Sequence, residues 1–224
     1  ENTIKILERA RHGLATADIV VFPELANSGY VVSEDLIAQT AQPRHGPYTE
    51  ALTTVAAEQG GLIASGYCER DGDDFYNSVV LVGPGGPLLN YRKLHLFDAE
   101  KDHFTAGDKL PVVNTEFGTI GVCICYDLRF IEVMRILALQ GADLVLAPAA
   151  WVAGFDAGVP AEGLTRQAEG AIAQANLNQV AVVAVSQVSS AASAGFRMLG
   201  GSLALDAFGD VVCGPLSRDE EDSG

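Results

Sequence analysis

In 224 residues the chain carries 29 acidic against 14 basic side chains, a formal charge of −15, which sets it against nucleic acid and other polyanions as partners. Its 48% hydrophobic content and 24 glycines are those of a globular protein with a sizeable core. The longest apolar stretches, such as Val180–Val185 and Ala142–Ala150, are too short and too interrupted to cross a bilayer.

We read a single domain over 1–224. Helical spacing over Thr3–Ala15 is followed by a strand at Asp18–Phe22 and a second helix at Thr49–Gln59. Strands follow at Leu62–Cys68 and Asn77–Val82. The turn Pro84–Pro87 makes an antiparallel hairpin of Ser78–Val82 and Leu88–Arg92. The second half repeats the alternation: strand Thr119–Cys125, helix Phe130–Gln140, strand Leu144–Ala147 and helix Gly163–Asn176. Strands Val180–Ser186, Gly201–Asp206 and Asp210–Cys213 close it. The unbroken apolar run of Val180–Val185 predicts burial on both strand faces. An α/β architecture of mixed sheets covered by helices follows. Ser189–Gly195 reads as a flexible loop, and Ser217–Gly224 as a charged mobile tail.

Four cysteines, Cys68, Cys123, Cys125 and Cys213, lie mostly in strand-like runs. That fits a reducing cytoplasm, and the spacing fits no zinc site, so no metal is expected. Cys123 and Cys125 sit two apart on one strand, with Cα atoms roughly 6.5 Å apart, which opposes a disulfide between them. In Gly121–Phe130 an apolar strand ends in a polar turn before an amphipathic stretch. That junction projects Cys125 out of a sheet edge at a helix start, whose dipole favours the thiolate.

A cysteine nucleophile needs a base for its proton and a donor for the charge developing on the attacked carbonyl. Glu24 ends the strand before the turn Asn27–Gly29, and Lys93 ends the hairpin's outgoing strand. If these strand ends converge with Cys125, carboxylate, ammonium and thiolate can act together. Taken singly each has an ordinary reading: a helix cap for Glu24, a surface charge for Lys93, a buried structural thiol for Cys125.

The segments Phe22–Glu24, Tyr91–Lys93 and Cys125–Asp127, in this order, resemble those of the nitrilase, or carbon–nitrogen hydrolase, superfamily. Phe104–Asp108, Pro148–Trp151, Phe196–Ser202 and Asp206–Gly209 extend the resemblance over nearly the whole chain. It implies a four-layer αββα sandwich with two mixed β-sheets, terminal strands beyond those this sequence contains, and a homodimer or higher homo-oligomer. It places a Glu-Lys-Cys triad on Glu24, Lys93 and Cys125, and a further glutamate on Glu100, although Asp98–Asp102 otherwise reads as solvated surface. The Tyr126 N–H would share an oxyanion hole with Lys93, and no cofactor is implied. Trp151 reads as pocket wall ahead of core. Arg129 reads equally as a substrate-carboxylate ligand or a partner of Asp127.

Cys-Tyr-Asp is similar to the amidase-type and carbamoyl-hydrolase branches. The implied activity is hydrolysis of a small amide through a Cys125 thioester, releasing ammonia or an amine and an acid. An N-carbamoyl hydrolase and a catalytically silent interaction module of the same fold are the alternatives.

Overall fold

The computed structural model describes residues 2–30, 32–153, 164–188 and 197–217. They form two compact units, Glu1–Lys109 and Leu110–Gly224. Each is built around one mixed sheet, so the chain is α/β as its alternating pattern predicts.

The first unit runs α1 (Asn2–Leu14), β1 (Ile19–Val21), α2 (Glu34–Thr40), β2 (Gln42–Pro43), α3 (Pro47–Gln59), β3 (Leu62–Asp71), β4 (Asp74–Gly83), β5 (Gly86–Arg92) and a single turn, α4 (Glu100–His103). The strand order is β1-β3-β4-β5, with β2 also paired to β3. β1 and β2 run parallel to β3, while β3-β4 and β4-β5 are antiparallel. The expected hairpin closes with Ser78 opposite Arg92. α1 buries Ile6, Ala10 and Leu14, one helical stripe. α3 starts with a proline in its first turn and stops at Gly60, whose φ of 77° suits the left-handed C-cap. Both helices pack on Ile63, Tyr67, Val80 and Val82. Strand alternation therefore sends Gly66, Asn77, Tyr91 and the following Lys93 to the opposite face.

The helix-side face holds a buried polar group. Glu69 is fully buried and accepts from Ser78 Oγ at 2.6 Å, Asn90 Nδ2 at 2.8 Å and Arg92 Nη2 at 2.6 Å. Burial opposes its charge, but these donors outweigh burial and hold its carboxyl below the usual range.

The second unit runs β6 (Val112–Thr115), β7 (Gly118–Val122), a 3₁₀ turn (Cys125–Arg129), α5 (Ile131–Leu139), β8 (Leu144–Ala149), α6 (Arg166–Asn178), β9 (Ala181–Ser186), β10 (Leu203–Leu205) and β11 (Val211–Cys213). The order is β11-β10-β9-β8-β7-β6, with β7-β8-β9 parallel and the outer pairs antiparallel. α5 and α6 supply Val133, Met134, Leu137, Ala168, Ala171 and Ala175 to its core.

Several expectations are adjusted. β9 alternates between buried and half-buried residues, so its uniform apolarity does not mark two fully covered faces. The strand before Cys125 ends at Val122, and a 3₁₀ turn follows. Phe130 is extended, with φ −106° and ψ 108°, so α5 starts only at Ile131. Cys125 thus sits on a tight turn and no long helix dipole begins at it, which corrects the expected source of thiolate stabilisation. α2, β2 and β6 carry too few apolar residues in register to signal themselves. Gly163, Ser189–Gly195 and Arg218–Gly224 lie outside the described residues.

Candidate active site

In the first unit Glu24, Lys93 and Glu100 meet. Each arrives by a different device. Past β1 the chain stays beside β3: Phe22 N–H donates to Ala64 O at 2.8 Å, Gly66 N–H to Pro23 O at 3.1 Å, and Ala26 N–H to Gly66 O at 2.9 Å. Lys93 follows β5, its N–H donating to Asn77 O and its carbonyl accepting from Gly107 N–H, both at 2.8 Å. Glu100 opens the single turn α4, where its Oε2 accepts from Phe97 N–H at 2.8 Å. That cap withdraws it from an otherwise solvated charged run.

Lys93 Nζ donates to Glu24 Oε1 at 2.6 Å and to Glu100 Oε1 at 2.9 Å, and none of the three side chains reaches solvent. Asn77 Nδ2 donates to the same two oxygens, at 2.7 Å and 3.1 Å. Tyr30 Oη donates to Glu100 Oε1 at 2.9 Å. Burial raises the Glu24 carboxyl, Lys93 opposes the rise and the Glu100 charge adds to it, leaving it at about 7. A carboxylate so placed is a base matched to neutral pH.

Backbone contact fixes where Glu24 lies. A Cβ on Gly66 would stand 2.4 Å from Pro23 O, 2.6 Å from Leu25 N and 2.7 Å from Glu24 Cα. All of these are main-chain atoms, which cannot swing aside. Gly66→Ala is therefore expected to displace the Glu24 segment and destabilise the protein by about 1–3 kcal/mol. Chemical denaturation beside Gly85→Ala, where a Cβ meets open space, checks this.

In the second unit Cys125 opens the 3₁₀ turn with φ +46°, a region where a side chain is strained. Buried Asp127 braces that geometry: its Oδ2 accepts from Ile124 N–H at 2.9 Å, and its own N–H donates to Ile124 O at 2.9 Å. The Tyr126 ring meets Phe130 edge-on at 5.4 Å. Arg129 is exposed. Trp151 is 2% exposed and lies in the hydrophobic core of this unit.

None of the four cysteines forms a disulfide, but their surroundings differ. Burial, then the Asp127 charge, holds the Cys123 thiol well above its usual value. Burial, then Glu69, pushes Cys68 up to about 12. Both are poor nucleophiles at neutral pH. Cys125 is partly buried on a strained turn, and Cys213 lies exposed on β11.

A cleft of about 480 Å³ on the first unit, lined by Arg44, His45, Arg70, Arg92 and Lys109 among others, lies away from this cluster. Glu69 and Arg92, paired at 2.6 Å, are part of its lining. Among the described residues no group of three or more His, Cys, Asp or Glu is placed to hold a metal ion. The sequence-derived triad and Glu100 leave out Asn77, which donates to both carboxylates, and the hydroxyl of Tyr30. The polar Asn77-Ser78 pair leading directly into the buried apolar run Val79–Val82 was the signal for the first.

The sequence pattern of the family described as carbon-nitrogen hydrolase matches residues 1–223. An (R)-stereoselective amidase of Pseudomonas sp. is 36% identical over 218 residues, covering 96% of this chain and 76% of that protein. A nitrilase of Pyrococcus abyssi is 42% identical over 147 residues, covering 64% of this chain, which spans only 55% of that protein. The crystal structure of an amidase from Nesterenkonia sp. superposes with a TM-score of 0.82 at 25% identity, covering 97% of this chain and 80% of that one. Saccharomyces cerevisiae Nit3, a member of branch 10 of the nitrilase superfamily, gives 0.80 at 25% identity, covering 98% of this chain and 82% of that one.

Proposed function

We propose, from the premise that this chain belongs to the carbon–nitrogen hydrolase family, that it is an amidase-type enzyme cleaving the C–N bond of a small-molecule amide through a thioester on Cys125. The observation that carries the reading is the buried Glu24–Lys93–Glu100 cluster, with its 2.6 Å and 2.9 Å ion pairs, in a chain that also holds a strained thiol. The family match from end to end supports reading both units as one functional domain.

The chemistry follows from the groups. Glu24 takes the Cys125 proton as Sγ bonds to the amide carbonyl carbon, and Lys93 Nζ with Tyr126 N–H stabilises the oxyanion. Collapse breaks the C–N bond, and Glu24 returns the proton to the leaving nitrogen, which departs as ammonia or an amine. Water then gives a proton to Glu24 and attacks the thioester carbonyl. The acid leaves, and the proton on Glu24 returns to the Cys125 sulfur. Glu100 shares the Lys93 ammonium with Glu24 and so fixes where Nζ lies.

Glu24 must be ionised to start, and its raised pKa puts the switch at about 7. kcat/KM is therefore expected to rise with pH through about 7, where an ordinary glutamate would give a limb at about 4.3. A pH profile at limiting substrate reads this directly.

The (R)-stereoselective amidase relative supports amides as the substrate class. Ammonia release from aliphatic, aromatic and ω-carboxy amides and from N-carbamoyl amino acids tests it. Ammonia with a carboxylic acid and an acyl adduct on Cys125 supports the reading. Carbon dioxide alongside ammonia would move it to the carbamoyl alternative. No turnover and no adduct from folded protein would leave the interaction module.

We further read the protein as a cytoplasmic homo-oligomer. Its thiols suit a reducing compartment. Ile131, Leu139 and Leu177 on α5 and α6, each more than 60% exposed, are apolar surface that a second copy would cover. Sedimentation reads the assembly state. Among the described residues no helix is long and apolar enough to cross a membrane.

A further inference from the structure

We propose that Asn77 is a positioning residue for this reaction, its one carboxamide tying the Glu24 and Glu100 carboxylates together and fixing Glu24 Oε1 for proton transfer. The inference rests on the hydrolase reading above. Asn77 lies on β4, fully buried, and touches every member of the cluster. Its Nδ2 donates to Glu24 Oε1 at 2.7 Å and to Glu100 Oε1 at 3.1 Å, one hydrogen for each. Its main-chain oxygen accepts the Lys93 N–H at 2.8 Å. Lys93 Nζ bridges the same two oxygens, so the amide and the ammonium hold them from two sides.

The other end of the amide shows what this arrangement sacrifices. Asn77 Oδ1 is buried and accepts no hydrogen bond among the described residues. An unpaired buried acceptor is costly, and an apolar side chain would fill the space without it. The strand tolerates the orphaned oxygen and gains two donors aimed at carboxylates. The charged groups facing Glu24 within the first unit are Lys93 after β5 and Glu100 on α4, with Tyr30 donating to the latter. Against these the neutral amide favours the ionised form of Glu24, so its removal raises the pH at which Glu24 becomes a base.

The test follows Cys125 alkylation by iodoacetamide against pH, read as the mass of its peptide, in a Cys213→Ser background that removes the exposed thiol. The unaltered site should show a midpoint that Glu24→Gln moves toward that of an unassisted thiol. Asn77→Leu should move that midpoint up by about one pH unit and slow alkylation below it about 10-fold. Asn77→Asp, which keeps the shape and adds a third carboxylate, should move it further and carries the test if the leucine variant does not fold. Unchanged midpoints in the folded variants, with only thermal stability reduced, would make Asn77 a packing residue and overturn the proposal while leaving the hydrolase intact. A midpoint indifferent to Glu24→Gln would overturn the hydrolase reading, and this one with it.

Discussion

Cys125→Ala is expected to lower kcat by at least about 10⁴-fold while leaving the fold in place. No other thiol can take over. Cys68 and Cys123 are buried, and both are held protonated by their surroundings. Cys213 lies on the edge strand β11. The stability cost should stay within about 1 kcal/mol, because the side chain is only partly buried and alanine inherits the same strained backbone. Cys125→Ser should lose nearly as much activity. A base at about 7 is matched to a thiol, whereas a hydroxyl binds its proton far more tightly. Ammonia release and the denaturation midpoint, measured on the same preparations, separate the two effects. Turnover persisting in the alanine variant would remove Cys125 from the mechanism.

Lys93→Met should show the largest loss of stability of any single change in the first unit, about 3–5 kcal/mol at pH 8. Methionine matches the lysine stem in length, so packing is largely kept and the missing charge is what is felt. Two fully buried carboxylates, each within 3 Å of the ammonium, would then face each other with the Asn77 amide as their shared donor. Lys93 lowers the proton affinity of Glu24, so in the variant the folded state binds protons more tightly than the unfolded chain does. Stability of the variant must therefore fall as pH rises, and its deficit should shrink toward pH 5 as Glu24 protonates. Urea denaturation at both pH values checks the sign. A deficit independent of pH would mean that Lys93 stabilises through its stem rather than its charge.

The legible part of the site consists of residues that end strands. Glu24, Lys93 and Cys125 each follow an apolar run whose period is easily read, and position at a strand end is a property of sequence. Glu100 was visible only through family likeness, since a charged run hides the one member that a turn folds inward. Asn77 and Tyr30 could not be paired with their partners from sequence. The contacts join residues 53 and 70 positions apart, and only the strand register of β3 with β4 and the loop after β1 bring them together. At Cys125 the amphipathic stretch after the polar turn suggests a helix start, whereas Asp127 ties the chain back on Ile124 in a tight turn that no periodicity signals. The short elements α2, β2 and β6 went unseen for a simpler reason: two to seven residues with few apolar positions carry no measurable period.

The closeness of Gly66 to the Pro23–Leu25 backbone bears on how this protein would tolerate diversification. In a saturation library scored for turnover, position 66 should look as intolerant as position 125, since every alternative amino acid brings a Cβ into a space already filled by peptide atoms. The same profile should appear at Gly107, where a Cβ would stand 2.2 Å from Arg92 O, just before Lys93. A map of intolerant positions would thus mark residues that have no functional group, these two among them, and treating every such position as chemistry would overcount the catalytic set. The discriminating feature is backbone atoms within 3 Å of the missing side chain.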